Sequence, residues 1–95
     1  MKNEVLYDFD REKNQWLLQE RQISFEEVIS VLDTIGPLDI IKHYNQKDYP
    51  NQRIYVVEVE QYVYLVPFVR RGNEVFLKTI FPDRKMTKKY LGKKE

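Results

Sequence analysis

Apolar and polar residues follow a helical period in the first third of this chain and a strand period afterwards. ISFEEVISVLDTIG, residues 23–36, places Phe25, Val28, Ile29, Leu32 and Ile35 on one helical stripe. Ser24 and Glu27 form an S-x-x-E capping box, and Ile23 with Val28 has the spacing of a hydrophobic staple. Gly36 and Pro37 end the element, since glycine accepts a left-handed backbone and proline cannot continue a helix. Upstream, Val5–Phe9 reads as a short strand. Asp10 then caps a helix running to Gln19 or Arg21, because its carboxylate can accept from an orphan N–H of the first turn. Trp16, Leu17 and Leu18 are its few apolar residues, which predicts a surface helix anchored along one side.

Four strands are predicted next: Leu38–Tyr44, Arg53–Glu58, Tyr62–Arg70 and Val75–Phe81. The loop NQKDYPNQ follows the first, Glu60-Gln61 links the second to the third, and Gly72-Asn73 turns the third into the fourth. Pro67 has no N–H to give a ladder, so an irregular point is expected in its strand. After Pro82 a short basic helix is expected, capped by Asp83 or Thr87 and ending before Gly92. Two helices followed by hairpin-linked strands make an α+β pattern: a four- to five-stranded, mainly antiparallel sheet with its helices on one face and a basic helix at the end.

Ninety-five residues, 42% hydrophobic and 14% aromatic, suffice for a single domain, 1–95, with a modest core. The absence of cysteine excludes disulfides, thiolate catalysis and cysteine-based zinc sites, and fits a reducing cytoplasm. No apolar run reaches the ~18 residues of a membrane span, and the N-terminus lacks a secretion signal. The formal net charge of +1 conceals a segregation. Residues 1–62 carry 7 basic and 12 acidic side chains, and residues 63–95 carry 9 and 3. Such a dipole can orient a molecule on RNA or an acidic partner; a solvated tail is the plain alternative.

Metal chemistry has little to stand on. His43 is the single histidine. Asp8 with Asp10, and Glu26 with Glu27, sit where helix N-termini favour acids. Phosphate-cradling glycine loops are absent, and Ser24 and Ser30 are spoken for by a helix. Cations remain: Arg70, Arg71, Lys78, Arg84, Lys85, Lys88 and Lys89, delivered by the last two strands or just after them. Alternation puts Lys78 on the same strand face as Phe76 and Ile80, where it either emerges at a cleft or pairs with Glu58. Metal-free RNA cleavage by a 2′-hydroxyl needs fixed cations around a dianionic phosphorane, together with a base and an acid. An unperturbed imidazole suits a base near neutral pH, which makes His43 a candidate base; a structural hydrogen bonder is the other reading. Tyr49 and Tyr90 can stack on unpaired bases, and Tyr90 can equally pack beside Met86 and Leu91.

FDREKNQWLLQERQISFEEVISVL and FLKTIFPDRKMTKKY together resemble the opening and closing segments of the BrnT family of bacterial toxins, within the RelE-like superfamily. The resemblance implies a RelE-like fold and a cytoplasmic, metal-independent endoribonuclease of a type II toxin–antitoxin system that arrests translation and needs no cofactor. It further implies a co-expressed antitoxin that neutralises the toxin and alone contacts operator DNA. Carried over, the family's cationic step maps to Arg84 and Lys85, its strand cation to Lys78 and its turn arginines to Arg70 and Arg71, with Tyr90 six residues after Arg84. In the nuclease reading Arg84, Lys78 and Arg70 hold the scissile phosphate, Tyr90 stacks or donates a proton, and His43 or a lysine is the base. The same nuclease reading takes Arg71, Lys85, Lys88, Lys89 and Tyr49 as RNA-binding, and the resemblance makes Thr87 the cap of the last helix. Pro82-Asp83 and the loop HYNQKDYPNQR depart from the family pattern. Two readings compete with the nuclease: a non-catalytic RNA- or acidic-partner-binding module using the same basic face, and an interaction protein docking through its aromatic strand surface.

Overall fold

The computed structural model describes residues 4–92. In chain order it runs β1 (Leu6–Phe9), α1 (Arg11–Arg21), α2 (Phe25–Thr34), β2 (Asp39–Lys42), β3 (Gln52–Val59), β4 (Tyr62–Arg71), β5 (Glu74–Leu77), β6 (Phe81–Pro82) and α3 (Arg84–Leu91). The class is α+β, with six strands in one sheet. Strand order is β1-β5-β4-β3-β2, and β6 pairs with β4 beyond the end of β5. All pairings are antiparallel except β1 with β5.

Helices α1 and α2 lie on one face of this sheet. Leu17, Phe25 and Val28 are fully buried against Val57, Val66, Val75 and Leu77, and Phe9 stacks on Phe25 at 4.8 Å between ring centroids. Each such side chain contributes about 1.5–3 kcal/mol by leaving water. Trp16 and Leu18 remain exposed, as befits a helix held along one side. Asn14 supplies the rest of that hold. It is buried, accepts from the Phe25 N–H at 2.8 Å and donates to Glu26 Oε1 at 2.8 Å, joining α1 to the start of α2. The Ser24–Glu27 capping box forms as expected. Ile35, expected on the buried stripe, is instead 82% exposed. The helix closes at Thr34, and the Ile35 and Gly36 N–H groups both turn back to the Val31 carbonyl, with Gly36 at φ +88°.

Register assigns the strand residues to the two faces. Tyr7, Tyr55, Val57, Phe68, Arg70 and Val75 share the α1/α2 face; Asp8, Ile54, Val56, Val63, Arg71 and Phe76 share the other. That second face carries α3, so the helices do not all pack on one face as the sequence pattern suggested. The reason lies in α3's own pattern. Met86, Thr87, Tyr90 and Leu91 form a stripe that is partly or wholly buried, over a face where Ile54, Val56 and Val63 are 2%, 0% and 0% exposed. Thr87 fixes the helix: its hydroxyl accepts from the buried Val63 N–H at 3.0 Å and donates to the Asp83 carbonyl at 2.8 Å. The N-cap is therefore Asp83, which accepts from the Met86 N–H, and not Thr87.

The strand predicted over Val75–Phe81 is broken. Phe68 pairs with Leu77 and Leu65 with Phe81, so three residues on one side (Lys78, Thr79, Ile80) oppose two on the other (Val66, Pro67). This is a β-bulge, and one extra residue inverts the alternation beyond it. Ile80 therefore turns into the α1/α2 core, fully buried, and parts from Phe76 and Lys78, whose face it was expected to share. Proline explains the site. The Lys78 N–H donates to the Pro67 carbonyl at 2.8 Å. In an antiparallel strand a residue's carbonyl and N–H point the same way, so the donor that Pro67 lacks is missing on the bulged side. Arg21 closes the gap by donating Nη1 to the Ile80 carbonyl at 2.6 Å.

Candidate polyanion-binding site

Helix α3 presents its cations away from the sheet. Arg84, Lys85, Lys88 and Lys89 are all exposed. Their spacings of three and four residues put them on one ridge, opposite the Met86–Leu91 stripe. Local electrostatics divide over this arrangement: Lys88 and Lys89, in the last turn, gain from the helix dipole. Arg84 and Lys85 occupy the first turn, which holds no acid, so the helix dipole opposes them by about 0.3–1 kcal/mol each. The like-charged pairs 84–88, 85–88 and 85–89 add about 0.2–0.5 kcal/mol each. A dense phosphate chain would offset the unfavourable terms by bringing counter-charge. Lys93 and Lys94, further cations of the tail, lie outside the described residues.

Arg71 and Lys78 project from the same side of the sheet as α3. They line an open hollow of about 620 Å³ with Leu6, Asp8, Val69 and Phe76. Lys78 is exposed, and its Nζ lies 5.5 Å from the Phe76 ring centroid. It emerges at a cleft and does not pair with Glu58, which sits toward the far end of β3. Arg70 is on the opposite face. Its Nε donates to the Gly72 carbonyl at 2.7 Å, and its charge acts on Tyr7 and Tyr55 beneath α2. The expected trio of Arg70, Lys78 and Arg84 is thus not gathered on one surface, because residue 70 has even parity on β4 and residue 71 odd.

The remaining candidates are engaged elsewhere. Six residues along a helix correspond to about 120° of rotation and about 9 Å of rise, which separates Tyr90 from Arg84. Tyr90 donates its hydroxyl to Asp39 Oδ2 at 2.9 Å. That bond, with a little desolvation, holds the phenol above its usual range. His43 is buried at the end of β2, between the rings of Tyr44 (4.4 Å) and Tyr49 (4.6 Å). Its Nδ1 accepts from the Asn45 N–H at 3.0 Å, so in neutral imidazole the proton sits on Nε2 and the ring has no free basic nitrogen. Tyr49 is 44% exposed and reachable, but at the opposite edge of the sheet from β5.

Sequence reasoning passed over an aromatic–cationic cluster that joins α1 to Phe81 of β6. Trp16 lies under Lys13 Nζ at 4.5 Å and the Arg21 guanidinium at 4.9 Å, and the same guanidinium lies 5.7 Å from the Phe81 ring. The i, i+3 and i, i+5 spacing of Lys13, Trp16 and Arg21 on one helix was the available signal. No group of three or more His, Asp or Glu capable of holding a metal ion occurs among the described residues, and no helix among them is long and apolar enough to cross a membrane. No protein-family model, curated protein or solved structure matches the chain.

Proposed function

We propose that this chain binds RNA through the cationic ridge of α3 and acts as the RNA-directed toxin of a toxin–antitoxin pair, with the RelE-like layout and metal-free ribonuclease chemistry that its BrnT resemblance implies. The observation that carries the binding half is the ridge: Arg84, Lys85, Lys88 and Lys89 on one exposed helix face, in a helix that holds no acid. Arg71 and Lys78 extend the same side of the sheet. Lys78, at the rim of a hollow that Asp8 and Glu74 also line, is the candidate for phosphate contact or proton transfer that other bonds leave available. The cognate antitoxin neutralises by covering this side.

Two measurements test the reading. Labelled RNA titrated at several salt concentrations should bind with a steep salt dependence. The double substitution Arg84→Ala, Lys88→Ala should lower the slope of log K against log salt by about 2. Incubating the folded protein with total RNA in the absence of Mg²⁺ should release fragments, and intact RNA at enzyme excess would remove the catalytic half. A second reading, a non-catalytic RNA-binding module, is favoured by the commitment of Tyr90 to Asp39 and of His43 Nδ1 to a backbone amide. It expects the same salt slope, no products at any enzyme concentration, and no growth arrest on expression.

A further inference from the structure

We infer that Trp16, Arg21 and Phe81 form a stacking platform for an unpaired base, so that the preferred ligand of the α3 ridge is a single strand of RNA rather than a duplex or a bare polyanion. This rests on the ridge reading and narrows it. Trp16 and Phe81 are 42% and 37% exposed. Leaving two aromatic rings in water forfeits the free energy of burying them. The rings are also pre-set. Arg21 is fixed by its 2.6 Å bond to the Ile80 carbonyl and touches both rings, which makes an aromatic–guanidinium–aromatic array of limited freedom.

The array adjoins the ridge. Phe81 pairs with Leu65 on the α3 side of the sheet, and only Pro82 and Asp83 separate it from Arg84. A strand whose phosphates follow α3 thus arrives at Phe81 with its next base beside an exposed ring. Flat aromatic and guanidinium surfaces adjoining a cationic track are the elements that bind single strands, because every base has a π-face while a duplex keeps its faces stacked inside. Lys13 covers part of Trp16 through a flexible four-carbon stem and can yield to a base.

Trp16 is the only tryptophan in the chain, so its fluorescence reports on the platform alone. The full chain is titrated with a single-stranded oligouridylate, a duplex RNA of equal length, inorganic polyphosphate and polyglutamate. The single strand is expected to quench Trp16, and polyphosphate to bind without quenching. Phe81→Leu should weaken the single strand about tenfold, as loss of one stacked base implies, and leave polyphosphate affinity unchanged. Trp16→Leu, at an exposed helix position and read by anisotropy of labelled RNA, should do the same. Equal quenching by polyphosphate, tighter binding of polyglutamate than of RNA, or unchanged single-strand affinity in both folded variants would overturn the platform while leaving the ridge. Failure of every polyanion to bind would remove ridge and platform together.

Discussion

Replacing Thr87 with valine tests how α3 is held on the sheet. The two side chains have nearly the same volume, so packing survives and only the hydroxyl is lost. Two bonds go with it. The Asp83 carbonyl keeps a partner, because it also accepts the Thr87 N–H at 3.0 Å. The Val63 N–H loses its acceptor at a residue that is fully buried. A buried donor left without a partner costs about 1–3 kcal/mol, so about 2 kcal/mol is expected. For a chain of this size 1 kcal/mol corresponds to a shift of roughly 4–8 °C, which places the loss in Tm at about 8–16 °C. Thr87→Ser keeps the hydroxyl and removes one methyl, at about 1 kcal/mol. Urea unfolding followed by circular dichroism should therefore rank wild type above Ser above Val, with m unchanged. Amide exchange at Val63 should accelerate in the valine variant more than at neighbouring strand positions. If Thr87→Val is as stable as wild type, or more stable than Thr87→Ser, the hydroxyl does not anchor the helix and the account of α3 fails.

Burial pushes the Tyr55 phenol up to about 12 from 10.0. A folded-state value above the unfolded one contributes stability that is whole below pH 10 and is lost as pH climbs toward 12. Tyrosinate absorbance should show a late phase coincident with alkaline unfolding, and Tyr55→Phe should abolish that phase and flatten the decline. Asn14→Ala leaves the Phe25 N–H unpaired and should cost about 1–3 kcal/mol by urea midpoint, with α1 detaching first in hydrogen exchange. The Asn14 amide is the main cause holding the Glu26 carboxyl below its usual 4.5, so stability from that bond is present above pH 4.5 and is lost as pH falls through the lowered value. An acid titration of wild type against Asn14→Ala should show the extra loss only in wild type.

Elements set by local chemistry were legible from the residues. The α2 capping box, the Asp10 cap and the Gly72 turn each depend on a few adjacent side chains, and the structure has them where the spacing put them. The two-residue Glu60-Gln61 link was also legible, although both residues adopt positive φ, 51° and 65°, without glycine. What failed was parity. Period-2 reasoning runs correctly along β5 to Leu77 and then carries the wrong sign past the bulge, so Ile80 and Lys78 were assigned a common face. Pro67 signalled an irregularity, but in its own strand, whereas the extra residue sits on the strand it faces. Parity also separates Arg70 from Arg71. Counting cations by sequence interval gathered them, and the pleat distributed them. The bonding partners of Tyr90 and His43 were illegible for a different reason. Asp39, which takes the Tyr90 hydroxyl, lies 51 residues away, and the Asn45 amide that occupies His43 Nδ1 is donated by a loop backbone that no side-chain pattern marks.

The surplus residue between Leu77 and Phe81 has a genetic corollary. Removing Thr79 would restore an unbroken ladder with Ile80 still inward and Phe81 still outward, yet the straightened strand would then ask Pro67 for a proton it does not own. The two positions are therefore bound as a pair: losing one without exchanging the other breaks the sheet, and shortening the strand together with Pro67→Val lets it close. Length and residue type at these two places are expected to drift in step.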